Sequence, residues 1–517
     1  MRITAMGNWR PQPGTAVRFD PTEACREAAA TALAHAAPVT FLAQNHVRGA
    51  QVARAAGRTH RGYLGSGTEI DGDLDTAALG RALSLFVRRH EVLRTWFECR
   101  DGEVTAHLVA SSDIEFEGHV DRRLATVDDV HPYLIDRFDR ETPSDTFPGF
   151  AFGAISRPGG FAIFLACDHA LSDGASQALA LDEIAQIYAK LVRADEPDDA
   201  VSTEAMQTEA MQTGAMQTGA METETAAPAG GYFAYAAAEA QATAVHLAGT
   251  PQTRAWQDIF RRHDLQMPRF PLDLGLGPGE TAQVTGVEVS LLDRAGIVAF
   301  DAACRAAGGR FIDGVYAAIA IADRELAGAE DYYGMTVFNT RVALDGYATS
   351  QGWFCSFAPV EFSMTGASTF AELIPAAHAA RRRARDLAAV PVAAALAAIA
   401  AAGATPDAIV TAPNLLSYID FRWFPGTSRD AFRRGALFTG EGRTANASAW
   451  INRDHDELYL GSQIPGTPFA ESVARPYYHH LRDIVTDIAA AGDRQIHGPA
   501  VAAGPSDPGA AALRRGA

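Results

Sequence analysis

The sequence predicts a mixed α/β protein made of two lobes. The chain has 517 residues, more than one hydrophobic core usually accommodates. Helical and strand-like patterns alternate in two long stretches, from about Phe41 to Leu191 and from about Tyr232 to Ala490. Between these stretches the composition changes abruptly, which indicates a linker. A content of 48% hydrophobic and 21% charged residues is typical of a globular protein.

Three segments of the first half have clear secondary-structure patterns. The segment that begins at Thr76, TAALGRALSLFVRRHEVLRTWFE, has apolar residues at helical spacing and then becomes strand-like. Residues 161–167 (FAIFLAC) form a short continuous apolar run, which is typical of a strand buried on both faces. The segment that follows from Gln177, QALALDEIAQIYAKLV, predicts an amphipathic helix.

A low-complexity insert divides the chain. Residues 204–225 are a tandem five-residue repeat without aromatic or β-branched aliphatic residues, so they bury too little apolar surface to order themselves. We interpret them as a linker, and a Met-rich binding surface is the alternative. Strand-like YYGMTVF and ELYLGSQI alternate with helical patterns in the second half. The predicted regions are an N-terminal lobe (1–200), the linker (201–231), a C-terminal lobe (232–495) and a disordered tail (496–517).

Charge and cysteine content exclude several classes of protein. The formal net charge of −18 argues against general affinity for nucleic acid or for an anionic membrane surface. The five cysteines are scattered without a CxxC pair, which disfavours a disulfide framework or a metal site and fits a reducing cytoplasm. Residues 387–404 are long enough to cross a bilayer, but alanine dominates them and Pro391 interrupts them. We predict a helix of the globular fold there, and a cytoplasmic monomer, with peripheral contact to a membrane left open.

His169 and Asp173 follow directly after the buried apolar run. One interpretation is structural: Asp173 caps the next helix, and His169 ends the strand without a role. The other is catalytic, because a strand holds the backbone of His169 rigidly and the Asp-Gly turn leaves the ring reachable from a cleft. Such a histidine suits a general base. The residues by themselves leave both interpretations open.

Several segments together resemble one superfamily. The string from His169 to Gly174 resembles the H-x-x-x-D-G signature of the condensation-domain acyltransferases, whose fold is that of chloramphenicol acetyltransferase. RHEVLRTWF (89–97) and NTRVALDGYATSQGWFCSFAPVEF (339–362) resemble further segments of that superfamily, in the same order. SQGWF, together with WINRDHDELYLGSQIPGTPFAESV near the end, resembles the actinobacterial polyketide-associated (Pap) acyltransferases. The resemblance covers nearly the whole chain except the insert and the tail.

The resemblance implies a fold and a reaction. The fold would be two chloramphenicol acetyltransferase-like lobes in one chain, with the active site between them. His169 would act as general base in direct acyl transfer from a thioester to a hydroxyl, Gly174 would complete the signature, and Asp173 would have a structural role with Arg341 as partner. Peptide-forming relatives usually have a second histidine where this chain has Asp168, so we expect an ester product. The implied candidates for lining the channel are Asp168, Trp353, Cys355 and Ser356.

The substrates are also implied by the resemblance. The donor would be a long acyl or polyketide chain on coenzyme A or on a phosphopantetheinyl carrier protein, with no bound cofactor. The acceptor would be a sugar or glycolipid such as trehalose. A basic run in this acidic chain is either a solvated helix face or a contact for donor phosphates or a carrier protein; it comprises Arg381, Arg382, Arg383 and Arg385. The alternatives are a stand-alone ester-forming condensation enzyme of a peptide or polyketide pathway and a non-catalytic docking module.

Overall fold

The computed structural model describes residues 1–195, 230–410, 412–439 and 442–499. The predicted linker and tail lie outside these ranges except for residues 230–231 and 496–499, so the structure does not bear on them. Within the described ranges, strands and helices alternate along both halves, which confirms the mixed α/β class.

Two seven-stranded sheets dominate the part of the chain that the structure describes, with a separate two-stranded ribbon of β4 and β5. The order in the first sheet is β1-β13-β3-β8-β7-β2-β6, and in the second it is β11-β10-β12-β15-β16-β9-β14. The strands are β1 (Arg2–Ile3), β2 (Thr15–Pro21), β3 (Tyr63–Asp71), β4 (Thr95–Arg100), β5 (Glu103–Leu108), β6 (Phe116–Arg123), β7 (Phe150–Arg157), β8 (Gly160–Asp168), β9 (Ala282–Asp293), β10 (Asp331–Asn339), β11 (Cys355–Ser363), β12 (Leu415–Asp420), β13 (Ala436–Thr439), β14 (Arg443–Thr444), β15 (Ser448–Arg453) and β16 (Glu457–Pro465).

The α-helices pack against these sheets. Those in the described residues are α1 (Glu23–Ala30), α2 (Phe41–Ala55), α3 (Thr76–Arg89), α4 (Val130–Glu141), α5 (Gly174–Asp195), α6 (Tyr232–Leu247), α7 (Pro251–Arg262), α8 (Arg294–Ala306), α9 (Phe311–Ala327), α10 (Phe370–Leu387), α11 (Val392–Ala401), α12 (Pro406–Val410), α13 (Asp430–Arg433) and α14 (Pro468–Ala491).

The central strand β8 has the burial that its sequence predicts. Every residue from Gly160 to Asp168 is buried. One face meets the cluster that includes α3 and α5, and the other face meets α4 through residues such as Phe138. The predicted helix α3 begins after Asp75, whose side chain accepts a hydrogen bond from the amide of Ala78. A strand covered on both faces has little freedom to shift, so the residue after it is held in place.

One strand of the second half belongs to the first sheet. β13 pairs with β3 in antiparallel register, with Phe438 opposite Gly65, and it also pairs with β1. The sequence assigned residues 232–495 to a second lobe, whereas residues 436–439 complete the sheet of the first. The sequence of a four-residue apolar strand does not indicate which sheet the strand joins.

The alanine-rich segment does not form one long helix. Helix α11 begins after Pro391, and its residues Ala394, Ala395 and Ile399 pack into the core of the second half. Among the described residues, no single helix has the length and apolar character needed to cross a bilayer. Helices α10 and α11 reach that length and composition only as a pair, and a bend of 103° separates them.

Candidate active site

The site is built at the junction between β8 and α5. Its first residue, His169, opens a 3-10 turn that runs to Leu171, and its amide donates to the carbonyl of Gly62 on the neighbouring chain segment at 2.9 Å. Asp173 Oδ1 accepts from the amide of Ser176 at 2.8 Å and so caps the start of α5. The capping interpretation from the sequence is therefore correct for Asp173, but this carboxylate has a second partner as well.

That partner is Arg341, just after β10 in the second half. Arg341 Nη1 donates to Asp173 Oδ2 at 2.7 Å and Nη2 donates to Asp173 Oδ1 at 3.0 Å, so the structure brings the two predicted residues together as a bidentate pair. The remaining N–H groups of the guanidinium are used too: Nη2 donates to Ser176 Oγ and the carbonyl of Gly352, and Nε donates to the carbonyl of Ser350. Both side chains are almost completely buried.

The charge of Asp173 is stabilised despite this burial. Burial by itself opposes ionisation, but the pairing with Arg341 and the amide hydrogen bonds from Ser176 and Phe354 outweigh it. The pKa of Asp173 is consequently lowered from its ordinary value, and the carboxylate is ionised at neutral pH. The pair joins α5 of the first half to the segment before β11 of the second.

A cavity of about 470 Å³ lies beside His169 between the two sheets. Strands of both halves and the segment after β12 contribute to its wall, which is mostly apolar. The apolar lining comprises Ile3, Tyr63, Leu64, Val337, Trp353, Phe357, Leu415, Tyr418, Ile419, Phe424, Leu437, Phe438 and Trp450. This shape and polarity suit a hydrocarbon chain.

The imidazole of His169 is oriented by packing. The ring of Trp353 lies against it with centroids 3.8 Å apart and an interplanar angle of 31°. Its Nδ1 atom is enclosed and has no hydrogen-bond partner from another described residue. Nε2 is therefore the nitrogen that a molecule in the cavity can reach.

Burial controls the protonation of His169. Desolvation disfavours the imidazolium, and the neighbouring His46 adds a smaller effect in the same direction. Together they lower the pKa of His169 to about 4. The ring is neutral at physiological pH and is free to accept a proton.

The predicted channel residues divide into two groups. Trp353 and Cys355 line the cavity, together with Gly174. Ser356 does not line it, because side chains alternate along β11 and that of Ser356 is buried on the opposite face. Asp168 does not line it either: its carboxylate faces an adjoining cavity of about 380 Å³ beside α2. The prediction was wrong for Ser356, and a place of Asp168 in the channel stays a prediction.

The two cysteines near the site are poor nucleophiles. Burial, followed by the charge of Asp173, raises the pKa of Cys355 well above its ordinary value. Burial raises the pKa of Cys167 to about 12. Both thiols are protonated at neutral pH, and a protonated thiol is a weak nucleophile.

The basic run lies on α10 and away from the site. Arg381 is buried and pairs with Asp313 of α9, so its proposed contact with donor phosphates was wrong: helical spacing turns it toward the core. Arg382, Arg383 and Arg385 are exposed, and Arg383 donates to the carbonyl of Glu361. None of the four lines the cavity at His169. A contact of the three exposed arginines with a donor stays a prediction.

Sequence reasoning missed one residue of the site, His46. It lies on α2 with Nε2 3.1 Å from Asp168 Oδ1, and its ring centroid is 6.0 Å from that of His169. A single histidine in the pattern QNHVRGA carries no signal for such a role. Within the described residues, no cluster of three or more His, Cys, Asp or Glu side chains could hold a metal ion.

The chain is similar to several known proteins. A family model described as "Condensation domain" matches residues 63–207. PapA1 of Mycobacterium tuberculosis, named a 2'-acyl-2-O-sulfo-trehalose (hydroxy)phthioceranyltransferase, is 27% identical over 511 residues, 98% of this chain and 92% of that protein. The same organism's trehalose-2-sulfate acyltransferase PapA2 is 25% identical over 362 residues, 69% of this chain and 70% of that protein.

Solved structures have the same fold. A PapA2 acyl transferase superimposes with a TM-score of 0.80 at 22% identity, covering 95% of this chain and 100% of that one. The first condensation domain of the calcium-dependent antibiotic synthetase gives a TM-score of 0.61 at 17% identity, covering 90% and 98%. The two-lobed fold and the resemblance to condensation-domain and Pap acyltransferases are confirmed.

Proposed function

We propose that this protein, an acyltransferase of the condensation-domain type, transfers a long acyl or polyketide chain from a thioester to a hydroxyl of a sugar or glycolipid. His169 beside a large apolar cavity between the two sheets is the observation that carries the proposal. The trehalose-based names of two relatives support a sugar acceptor. Coenzyme A or a phosphopantetheinyl carrier would supply the acyl group.

The reaction needs one base and no covalent enzyme intermediate. Nε2 of His169 takes the proton of the acceptor hydroxyl while the oxygen attacks the thioester carbonyl, and a C–O bond forms. The tetrahedral intermediate then collapses, the C–S bond breaks, and the imidazolium returns the proton to the departing thiolate. The protonated state of the Cys355 thiol supports direct transfer over an acyl-cysteine route.

The Asp173–Arg341 pair has a supporting role in this proposal. It does not contact His169 through a hydrogen bond, but it fixes the start of α5 and the segment that presents Trp353. Gly174, at the first position of α5, leaves open space beside the turn. The pair thus fixes the position of one wall of the cavity relative to the other.

Purified protein with acyl-CoA donors tests the proposal. Thiol release should depend on an added sugar acceptor such as trehalose or its 2-sulfate, and should be faster with a long acyl chain than with acetyl-CoA. The same assay with an acylated carrier protein separates the stand-alone condensation alternative. Absence of acceptor-dependent release with every donor and acceptor would favour the non-catalytic docking alternative.

The pH profile should reflect the lowered pKa of His169. Because burial lowers this pKa to about 4, the base is unprotonated above that value. We expect kcat/KM to be nearly constant from about pH 8 to about pH 5 and to fall roughly tenfold per unit below about pH 4. Circular dichroism at each pH identifies the range in which the protein remains folded. The ordinary pKa of histidine is about 6.5. A fall in kcat/KM that begins near that pH would contradict a lowered pKa of His169.

Filling the cavity should select against long chains. Val337 lies in the wall, so Val337→Trp should lower kcat/KM for a long-chain donor by at least about tenfold while acetyl transfer changes little. Val298→Trp is the matched control, because Val298 is 66% exposed on α8. Equal losses on short and long donors would contradict an acyl chain in this cavity.

A further inference from the structure

The imidazole of His169 has a hydrogen bond to its own backbone, and Nδ1 has none to another described residue. In most such sites, one ring nitrogen bonds to a carboxylate or carbonyl, and this bond sets the direction of the other nitrogen. Here Nδ1 has no such partner from another described residue. The position of the ring therefore depends on its own backbone and on Trp353.

Asp168 controls that backbone. Its Oδ1 accepts from the amide of Ala170 at 2.8 Å, which closes the turn that begins at His169. The same Oδ1 lies 3.1 Å from Nε2 of His46. One oxygen atom thus connects an imidazole on α2 to the turn that carries the base.

His46 is itself firmly placed. Its neighbours on α2, Ala43 and Val47, are buried in the core of the first half, and the His46 side chain is only 10% exposed. Its ring meets that of Trp353 edge to face, with centroids 6.1 Å apart and an angle of 83°. Nε2 also lies 3.3 Å from Nε2 of His60. His46 consequently contacts both groups that hold His169.

We propose that His46 and Asp168 act as one positioning unit for His169, which they hold through the Ala170 turn and through Trp353. This inference rests on the proposed function of His169. The unit sets the direction of Nε2 toward the acceptor hydroxyl and takes no part in binding either substrate. A displacement of the base by about 1 Å is enough to lower a rate by roughly 10²-fold.

A double-mutant cycle tests the unit. His46→Ala and Asp168→Ala should each lower kcat by about 10–100-fold with KM for donor and acceptor within about twofold. The double variant should lose less than the product of the two single losses, because both substitutions remove the contact between His46 and Asp168. Asp168→Asn should retain most of kcat, since the amide oxygen can replace Oδ1 in both contacts.

Controls separate this inference from the proposed function. His119→Ala on the edge strand β6 is the matched histidine control and should leave kcat unchanged. Melting temperatures and circular dichroism identify losses that come only from unfolding. The inference is overturned by full kcat in folded His46→Ala, by multiplying losses in the double variant, or by a change confined to KM. If His169→Ala is fully active, the proposed function fails instead.

Discussion

His169→Ala is expected to lose acyl transfer by about 10²–10⁴-fold, the usual contribution of a positioned general base. The substitution removes Nε2, the atom that takes the hydroxyl proton as the C–O bond forms in the proposed reaction. The protein should stay folded, because Nδ1 has no partner from another described residue and its loss leaves no buried group without a hydrogen bond.

Single-turnover rates with a long acyl-CoA and a saturating acceptor measure this effect, since they report chemistry separately from product release. His169→Gln is the informative companion: it keeps a polar side chain of similar reach but cannot accept a proton at neutral pH. We expect both variants to be equally slow. Wild-type turnover in either folded variant would refute the base assignment.

Asp173→Ala should destabilise the fold by about 3–5 kcal/mol, the usual result of removing one member of a buried ion pair. Arg341 would keep its charge without the carboxylate, and the amides of Ser176 and Phe354 would lose their acceptor. Urea denaturation followed by circular dichroism measures the change in the free energy of unfolding.

Two comparisons make the result specific. Asp71→Ala removes an exposed partner of Arg434 and should leave the unfolding midpoint unchanged. The double variant Asp173→Leu/Arg341→Met, which removes both charges, should be more stable than Asp173→Ala. A double variant less stable than the single one would show that the pair stabilises the fold by more than charge compensation.

The sequence alone predicted the centre of the site and part of its surroundings. The apolar run 161–167, followed by His169 and Asp173, predicted a buried strand that ends at a polar turn, because periodicity and turn residues are local signals. Asp173 and its partner Arg341 are 168 residues apart in the sequence. Their pairing was predicted only from the resemblance to a family. No local pattern carries a contact at that separation.

The errors have a common physical cause. Ser356 and Cys355 are adjacent, yet only one faces the cavity, since strand register decides the face and a register cannot be read from a short segment. Arg381 is similar in sequence to its basic neighbours, but helical phase turns it toward Asp313. His46 reaches the site only because α2 packs against the turn after β8. Each of these features depends on tertiary packing, which a local sequence pattern does not specify.

The placement of β13 affects how this chain can fold during synthesis. β3 and β1 have no shared neighbour until residues 436–439 have left the ribosome, so the first sheet is incomplete for most of translation. During that time one long edge of β3 exposes unpaired backbone groups, which invites pairing with other chains. The sheet that precedes His169 is therefore completed only after residues 436–439 have been synthesised. Contacts of such long separation are typical of slowly folding proteins.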